Sequence, residues 1–312
     1  VKALSADIGG SHAACALVED RKVLALERVA IPDAGSLFRI LPEIAAALGR
    51  VLERGGAVRS ACAGMAMSFP GIVDPDSGHI FSTPQGKFDD SSRLDLAAWC
   101  RECFGLRFRI ENDARMALLG EQYAGAARGS GDIGMLTLGT GVGGAAMIGG
   151  RLLRGRHFQA ALGGHMPASF EGKECICGNI GCVEAEASTW SLPQICRDWP
   201  GFAASSLAAA PSLDFAALFR LCQVGDKVAQ EIRDRCLRVW ASCAVGMIHA
   251  YDPEVLVVGG AVMQSGDQIL PFLESHVNAH AWTPWGKVRL RAAELGPEAG
   301  LLGAAPLLSE AP

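Results

Sequence analysis

Several things are missing from this sequence, and each absence removes a class of function. No run reaches the ~18 uncharged apolar residues that a membrane-spanning helix needs. The longest candidate, Trp240 to Tyr251, is stopped by Asp252, Pro253 and Glu254. The chain opens directly on a strand-like segment, with no basic n-region and no apolar h-region, so a soluble, unexported, cytoplasmic protein is expected. No lysine or arginine block interrupts it. The 33 acidic and 28 basic residues leave a formal net charge of −5, which gives a nucleic-acid partner no electrostatic footprint. No GxxxxGK[ST] occurs, which excludes a P-loop. The absence of a GxSxG elbow argues against the hydrolases built on one.

A disulfide framework is not expected in a cytosolic chain of this size, although there are 11 cysteines. Cys15, Cys62, Cys196, Cys222, Cys236 and Cys243 sit singly among apolar neighbours and read as small buried hydrophobes. Cys100 and Cys103 form a CxxC inside an expected helix, with no second pair at matching spacing, and read as structural. Cys175, Cys177 and Cys182 are different. They are spaced C-x-C-x4-C, with Gly178 and Gly181 permitting tight turns, and they follow a lone His165. Three thiolates and one imidazole make a closed tetrahedral Zn²⁺ site, which is structural rather than catalytic. An iron–sulfur cluster would want a fourth cysteine nearby.

The 312 residues, 50% apolar and 20% charged, suffice for about two domains. Apolar runs alternate with helical periods throughout, which argues for an α/β architecture. Strands are expected at Lys2 to Ile8, Ala13 to Val18 and Val23 to Ala30, with Gly9-Gly10-Ser11 turning the first into the second. The same plan recurs about 130 residues later. A strand from Met135 to Leu138 runs into Gly139-Thr140-Gly141-Val142-Gly143-Gly144, then come strands from Ala145 and from Arg151. That recurrence points to an internal duplication, one copy per domain. Helices are expected at Leu37 to Arg54, Leu94 to Cys103, Asp113 to Ala127 and Asp267 to His280, and a last one at Glu298 to Leu308. The expected division is a small lobe of residues 1–115 plus a C-terminal helix at about 299–312, and a large lobe of residues 116–298.

The second glycine turn formally matches GxGxxG, but the dinucleotide fingerprint needs a helix next and an acid about 20 residues on. Here a strand follows, and no carboxylate occurs between Asp132 and Glu171. Two glycine-rich hairpin turns can instead offer backbone N–H groups to phosphate oxygens, with the hydroxyls of Ser11 and Thr140 adding donors. Asp7 is placed to reach Mg²⁺ through water. Gly259-Gly260, after an expected strand from Glu254 to Val258, lets a base or ribose approach the backbone. Glu111-Asn112-Asp113 ends a strand and begins a helix, so its carboxylates read either as a helix cap or as a positioned general base.

Together these residues resemble the ROK family of sugar kinases and repressors, within the actin-like/hexokinase superfamily. The matching stretches are ADIGGS, SFPGIVDPDSG, ENDARMALLGE, LGTGVGG, GGH, CICGNIGCVEAEAS, DPEVLVVGGAV and LGPEAGLLGAA, between residues 6 and 304. The resemblance implies a two-lobed actin-like/ribonuclease H-like fold with an interlobe cleft. It implies ATP-dependent phosphorylation of a hexose or amino sugar, usually at the 6-hydroxyl, with Mg²⁺, a structural Zn²⁺ and a homodimer. Asp113 matches the family's catalytic base, and Gly71, Thr83, Asn112, His165 and Glu184 match its sugar contacts. His165 would bind zinc through one ring nitrogen and sugar through the other. Gly9, Gly10, Ser11, Thr140, Gly141, Gly143, Gly259 and Gly260 fall at the nucleotide contacts. Two positions depart from the pattern: Leu162 stands where the family commonly has Glu, and His12 where it often has Lys. The alternative is a non-catalytic sugar sensor. Family repressors carry a DNA-binding module ahead of this fold, whereas this chain reaches its first glycine turn by residue 9.

Overall fold

The computed structural model describes residues 1–32, 35–83 and 86–310. Strands β1 (Ala3–Ile8), β2 (His12–Glu19) and β3 (Lys22–Ala30) lead into helix α1 (Leu37–Arg54) and strand β4 (Met65–Phe69). A small hairpin follows, β5 (Ile72–Val73) and β6 (Ile80–Ser82), then α2 (Leu96–Phe104), β7 (Phe108–Asn112) and α3 (Asp113–Ala124). The plan then restarts with β8 (Ile133–Leu138), β9 (Val142–Ile148) and β10 (Arg151–Leu152). Helices α4 (Val183–Ala187), α5 (Leu192–Asp198), α6 (Phe215–Gln223) and α7 (Lys227–Tyr251) come next. Strand β11 (Val255–Gly259), α8 (Gly266–His280), β12 (Arg289–Ala292), α9 (Ala299–Leu302) and α10 (Ala304–Ser309) complete the chain. No described helix is long and apolar enough to cross a membrane.

The sheets carry the duplication. One has the order β3-β2-β1-β4-β7 and the other β10-β9-β8-β11-β12. In each, the first three strands pair antiparallel through tight turns, and the leading strand then pairs parallel with a later one that needs a crossover. Strands β4 and β11 are buried from end to end, as a parallel strand covered on both faces must be. Each sheet has its own apolar core, one running from Leu4 to Ile110 and the other from Leu136 to Leu290.

The chain divides into two compact units. The first comprises Val1–Gly129, Arg154–Ala160 and Glu294–Pro312, and the second Ser130–Leu153 and Ala161–Ala293. The boundary therefore falls at 129 rather than 115, because α3 packs with the C-terminal segment. Gly120 meets the Ala299 backbone with no room for a Cβ. Buried Glu121 accepts the N–H groups of Ala126 (2.7 Å), Glu294 (3.1 Å) and Leu295 (2.9 Å). The expected final helix is two short ones, α9 and α10, interrupted at Gly303 where the chain closes on the Met116 carbonyl. Gly143 and Gly144 belong to β9, paired with Thr137 and Leu136, so the second turn is only residues 139–141. The β5–β6 hairpin has no counterpart in the sequence reading; strands of two and three residues are too short to show a period.

Candidate active site and metal centre

The functional side chains form two groups, one in each unit. In the first unit, β1 delivers Asp7 to the edge of the turn Gly9-Gly10-Ser11, where Gly9 N–H donates to the His12 carbonyl (3.0 Å). Ser11 Oγ lies 3.2 Å from His12 Nδ1. Lys87 Nζ donates to the Gly10 carbonyl and so brings a cation to the turn. Nothing in the sequence flags this lysine, which lies 77 residues away along the chain.

Strand β7 ends, and α3 begins, at Asn112 and Asp113. The question of cap or base has a divided answer. Asn112 is the cap: its Oδ1 accepts from Ala114 N (3.1 Å) and Arg115 N (3.3 Å). Its Nδ2 donates to the Gly71 carbonyl (3.1 Å) and to Asp113 Oδ1 (2.9 Å). Asp113 Oδ1 also accepts from Ala114 N (2.8 Å). With Oδ1 doubly held, Oδ2 has no hydrogen bond among the described residues and stays open. Desolvation by the protein around it pushes the Asp113 carboxyl up to about 6 although the residue keeps an exposed edge, and the charge of nearby Asp7 adds to the rise against the helix amides. Asp7 is raised for the same first reason, burial; His12 pulls the other way, as does Ser68, whose Oγ makes no hydrogen bond of good geometry. Two neighbouring carboxylates, Asp7 and Asp113, are a donor set that could hold a divalent cation.

Behind Asp113 lies a buried ion network that the sequence reading missed. Glu111 is fully buried and accepts from Arg154 Nε (2.6 Å) and Arg115 Nη1 (3.3 Å). Arg154 Nη2 reaches on to Glu310 (2.7 Å). Gly71 lies beside Asn112, whose Nδ2 donates to its carbonyl. Thr83, half-buried after β6, makes no hydrogen bond to this group among the described residues.

In the second unit, the turn Gly139-Thr140-Gly141 is pinned by its own backbone. Gly139 N–H donates to the Gly141 carbonyl (3.0 Å), and the carbonyls of Gly139 and Thr140 accept from Thr189 N and Trp190 N (both 3.1 Å). Glu184, buried in α4, accepts from Val142 N (2.9 Å) and from Trp190 Nε1 (3.2 Å). It therefore belongs with this turn, a link its position near the cysteines does not advertise. Gly260 has φ 94° and packs so tightly on Leu138 that a side chain would collide with its backbone. That contact brings the Gly259-Gly260 pair to the foot of the same turn.

His165, Cys175, Cys177 and Cys182 come together with their ligand atoms all within 4.8 Å of one another. Cys177 Sγ and Cys182 Sγ are 3.7 Å apart, as are Cys175 Sγ and His165 Nδ1. Tetrahedral Zn²⁺ with ~2.3 Å bonds to sulfur requires sulfurs about 3.8 Å apart, so the four donors fit zinc. Burial, then the two neighbouring thiols, push Cys182 up to about 12; three crowded thiolates call for a cation. Because Nδ1 faces the thiols, the outward nitrogen of His165 is Nε2. Asn179 Nδ2 donates to Cys182 Sγ (3.4 Å), and the base of the loop is tied by Glu186, which takes Lys173 N and the Arg235 guanidinium.

Residues 3–311 match the sequence model of the ROK family. The chain belongs to the ROK family. It is 31% identical to the glucokinase of Thermotoga maritima, over 99% of this chain and 98% of that protein. Its fold matches the ROK hexokinase structure from Thermus thermophilus with a TM-score of 0.80 at 30% identity, covering 98% and 97% of the two chains. It likewise matches a ROK family glucokinase from Streptomyces griseus, solved with glucose and AMPPNP (TM-score 0.81, 29% identity, 98% and 99% covered). The two-lobed actin-like fold of this ROK chain follows.

Proposed function

We propose that this chain is an ATP-dependent sugar kinase that phosphorylates a hexose or amino sugar at the 6-hydroxyl, with Asp113 as general base. The observation that carries the reading is the state of Asp113. One oxygen is fixed by Asn112 Nδ2 and Ala114 N, the other is open, and the group is raised to about 6. A base so tuned is ionised at neutral pH yet still accepts a proton readily. The proton of the sugar hydroxyl passes to Asp113 Oδ2 as its oxygen bonds the γ-phosphorus and the β–γ bridging P–O bond breaks, releasing ADP.

In the first unit, Gly71 lies at the sugar side, and Asn112 would take a sugar hydroxyl by exchanging its Nδ2 bond to the Gly71 carbonyl, while Gly9, Gly10 and Ser11 offer amides and a hydroxyl to phosphate oxygens. Lys87 supplies a positive charge at that turn, where His12 replaces a lysine common in the family. Asp7 would hold Mg²⁺ through water, which when bound offsets the phosphate charge. In the second unit, Thr140, Gly141 and Gly143 serve the phosphates, and Gly259 and Gly260 the base or ribose. His165 Nε2 and Glu184 take sugar hydroxyls, Glu184 at the anomeric end. Zinc on Cys175, Cys177, Cys182 and His165 Nδ1 would fix the loop that aims them.

Leu162 narrows the substrate. A carboxylate there would give a charge-assisted hydrogen bond worth about 1.5–3 kcal/mol, and leucine gives none. A standard hexose should therefore bind about ten- to 150-fold more weakly than to a relative carrying Glu. The test is ADP release from Mg-ATP across hexoses and 2-amino, N-acetyl and 2-deoxy sugars, with Asp113→Asn as the blank. Turnover above the blank supports the kinase. Silence from folded, zinc-loaded protein overturns it in favour of a sugar sensor, the reading that Leu162 alone favours.

A further inference from the structure

Arg115 is only 1% exposed and is among the largest fully buried side chains. Nothing in the proposed chemistry touches it. Its guanidinium reaches Glu111 through Nη1 (3.3 Å), while Nη2 donates to two backbone carbonyls, those of Phe158 (2.9 Å) and Ala160 (3.0 Å). Nε is buried with no hydrogen bond. An orphaned buried N–H is costly, so the other donors of this guanidinium must be well used. They are spent on Glu111 and on a fork onto the segment Arg154–Ala160.

That segment is itself held against its preferences. Phe158 has φ 57°, a left-handed conformation unfavourable for a bulky side chain, and its ring stacks on Phe81 of β6 (centroids 5.9 Å apart, planes 18° apart). At its other end Arg154 bonds Glu111 (2.6 Å). Glu111 Oε1 also accepts from Asn112 N (2.9 Å), and Asn112 Oδ1 caps Arg115 N (3.3 Å). A closed ring results: Arg115, the carbonyls of the segment, Arg154, Glu111, Asn112 and back to Arg115. The peptide carrying Asp113 lies within that ring, between Asn112 and Arg115.

We propose that Arg115 is a positioning residue for phosphoryl transfer, clamping the 154–160 segment to the first turn of α3 so that the open oxygen of Asp113 keeps one direction. The inference rests on the kinase reading above. Misdirecting a base by about 1 Å costs on the order of 100-fold in the chemical step. Because the group acts only through Asp113, the loss falls on kcat and leaves ground-state binding alone.

The experiment is a double-mutant cycle between Arg115→Met and Asp113→Asn, read with the sugar and Mg-ATP that the wild type turns over, at a temperature where all variants are folded. Arg115→Met should lower kcat about 100-fold with both KM values within about threefold, and Arg115→Lys, which restores one donor, should recover about tenfold of that. In the Asp113→Asn background, Arg115→Met should change the residual rate by less than about threefold. If the methionine variant does not fold, the same comparison is read on Arg115→Lys. An unchanged kcat, or an equal factor in both backgrounds, overturns the clamp while leaving the kinase standing. A wild type without turnover overturns the kinase reading and the clamp with it.

Discussion

The two glycine turns share a backbone plan but are held in place by different means. Turn 9–11 lies among charge: Asp7 on the strand before it, His12 after it, Lys87 against its tip, and Asp113 close enough to feel the charge of Asp7. Turn 139–141 lies among neutral backbone donors, with Thr189 N and Trp190 N on its carbonyls, and Glu184 tied to the next amide. The two units thus share a strand order, while their turns differ in length and in surroundings: Gly9 N–H reaches the His12 carbonyl, but Gly139 N–H reaches that of Gly141. The first turn has beside it groups that can move protons and offset charge; the second is held by backbone hydrogen bonds. A turn's sequence sets what its backbone can offer, and its neighbours set which chemistry it joins.

The sharpest way to break this contrast is Asp113→Asn. If the first unit holds the proton chemistry, turnover should fall about 10²–10⁴-fold while sugar binding, followed by calorimetry, stays within a few-fold. The pH dependence has a definite sign. The base form exists above about 6, so kcat/KM should rise through that pH and flatten beyond it. Stability runs the opposite way. A carboxylate raised in the folded state favours the protonated form, so its contribution is present at low pH and lost as pH rises through about 6. Asp113→Asn should therefore melt above wild type at pH 8, a gain that shrinks as pH falls through about 6.

Next in size is the metal. Cys182→Ser removes a fully buried ligand and should leave less than one zinc per chain by elemental analysis, with the sugar KM raised at least about tenfold. A normal sugar KM in zinc-free protein would separate the loop from substrate altogether. Lys87→Met should raise the KM for Mg-ATP about tenfold, with a weaker dependence on salt than wild type, as expected when one phosphate contact is lost. The smallest effect is expected from Trp190→Phe. Losing the hydrogen bond to Glu184 Oε1 removes about 1 kcal/mol of support, so the sugar KM should rise about fivefold with kcat unchanged. A rise in the nucleotide KM instead would assign Glu184 to its neighbouring turn rather than to sugar.

Much of the fold is written locally. Alternating apolar runs set the strands, Ser36 and Asn112 begin their helices as caps, and glycine pairs mark the turns. The sequence by itself also marked the cysteines of the candidate metal cluster, because C-x-C-x4-C can close a tight loop without help from distant residues, and it marked Asp113 as a candidate base at a strand-to-helix junction. Three things were decided only by tertiary structure. Asn112 rather than Asp113 became the cap, because the Gly71 carbonyl and Asp113 Oδ1 together fix its amide. Lys87 reached the first turn across 77 residues, and Arg115 found its carbonyl partners 43 and 45 residues away. Such contacts have no period and no spacing rule. For buried Arg115 the partner is set by the low-dielectric space around it, and that space exists only once the sheets have formed and α3 has packed against the C-terminal helices. For Lys87, whose contact is exposed, it is set by the chain path that brings residue 87 to the turn.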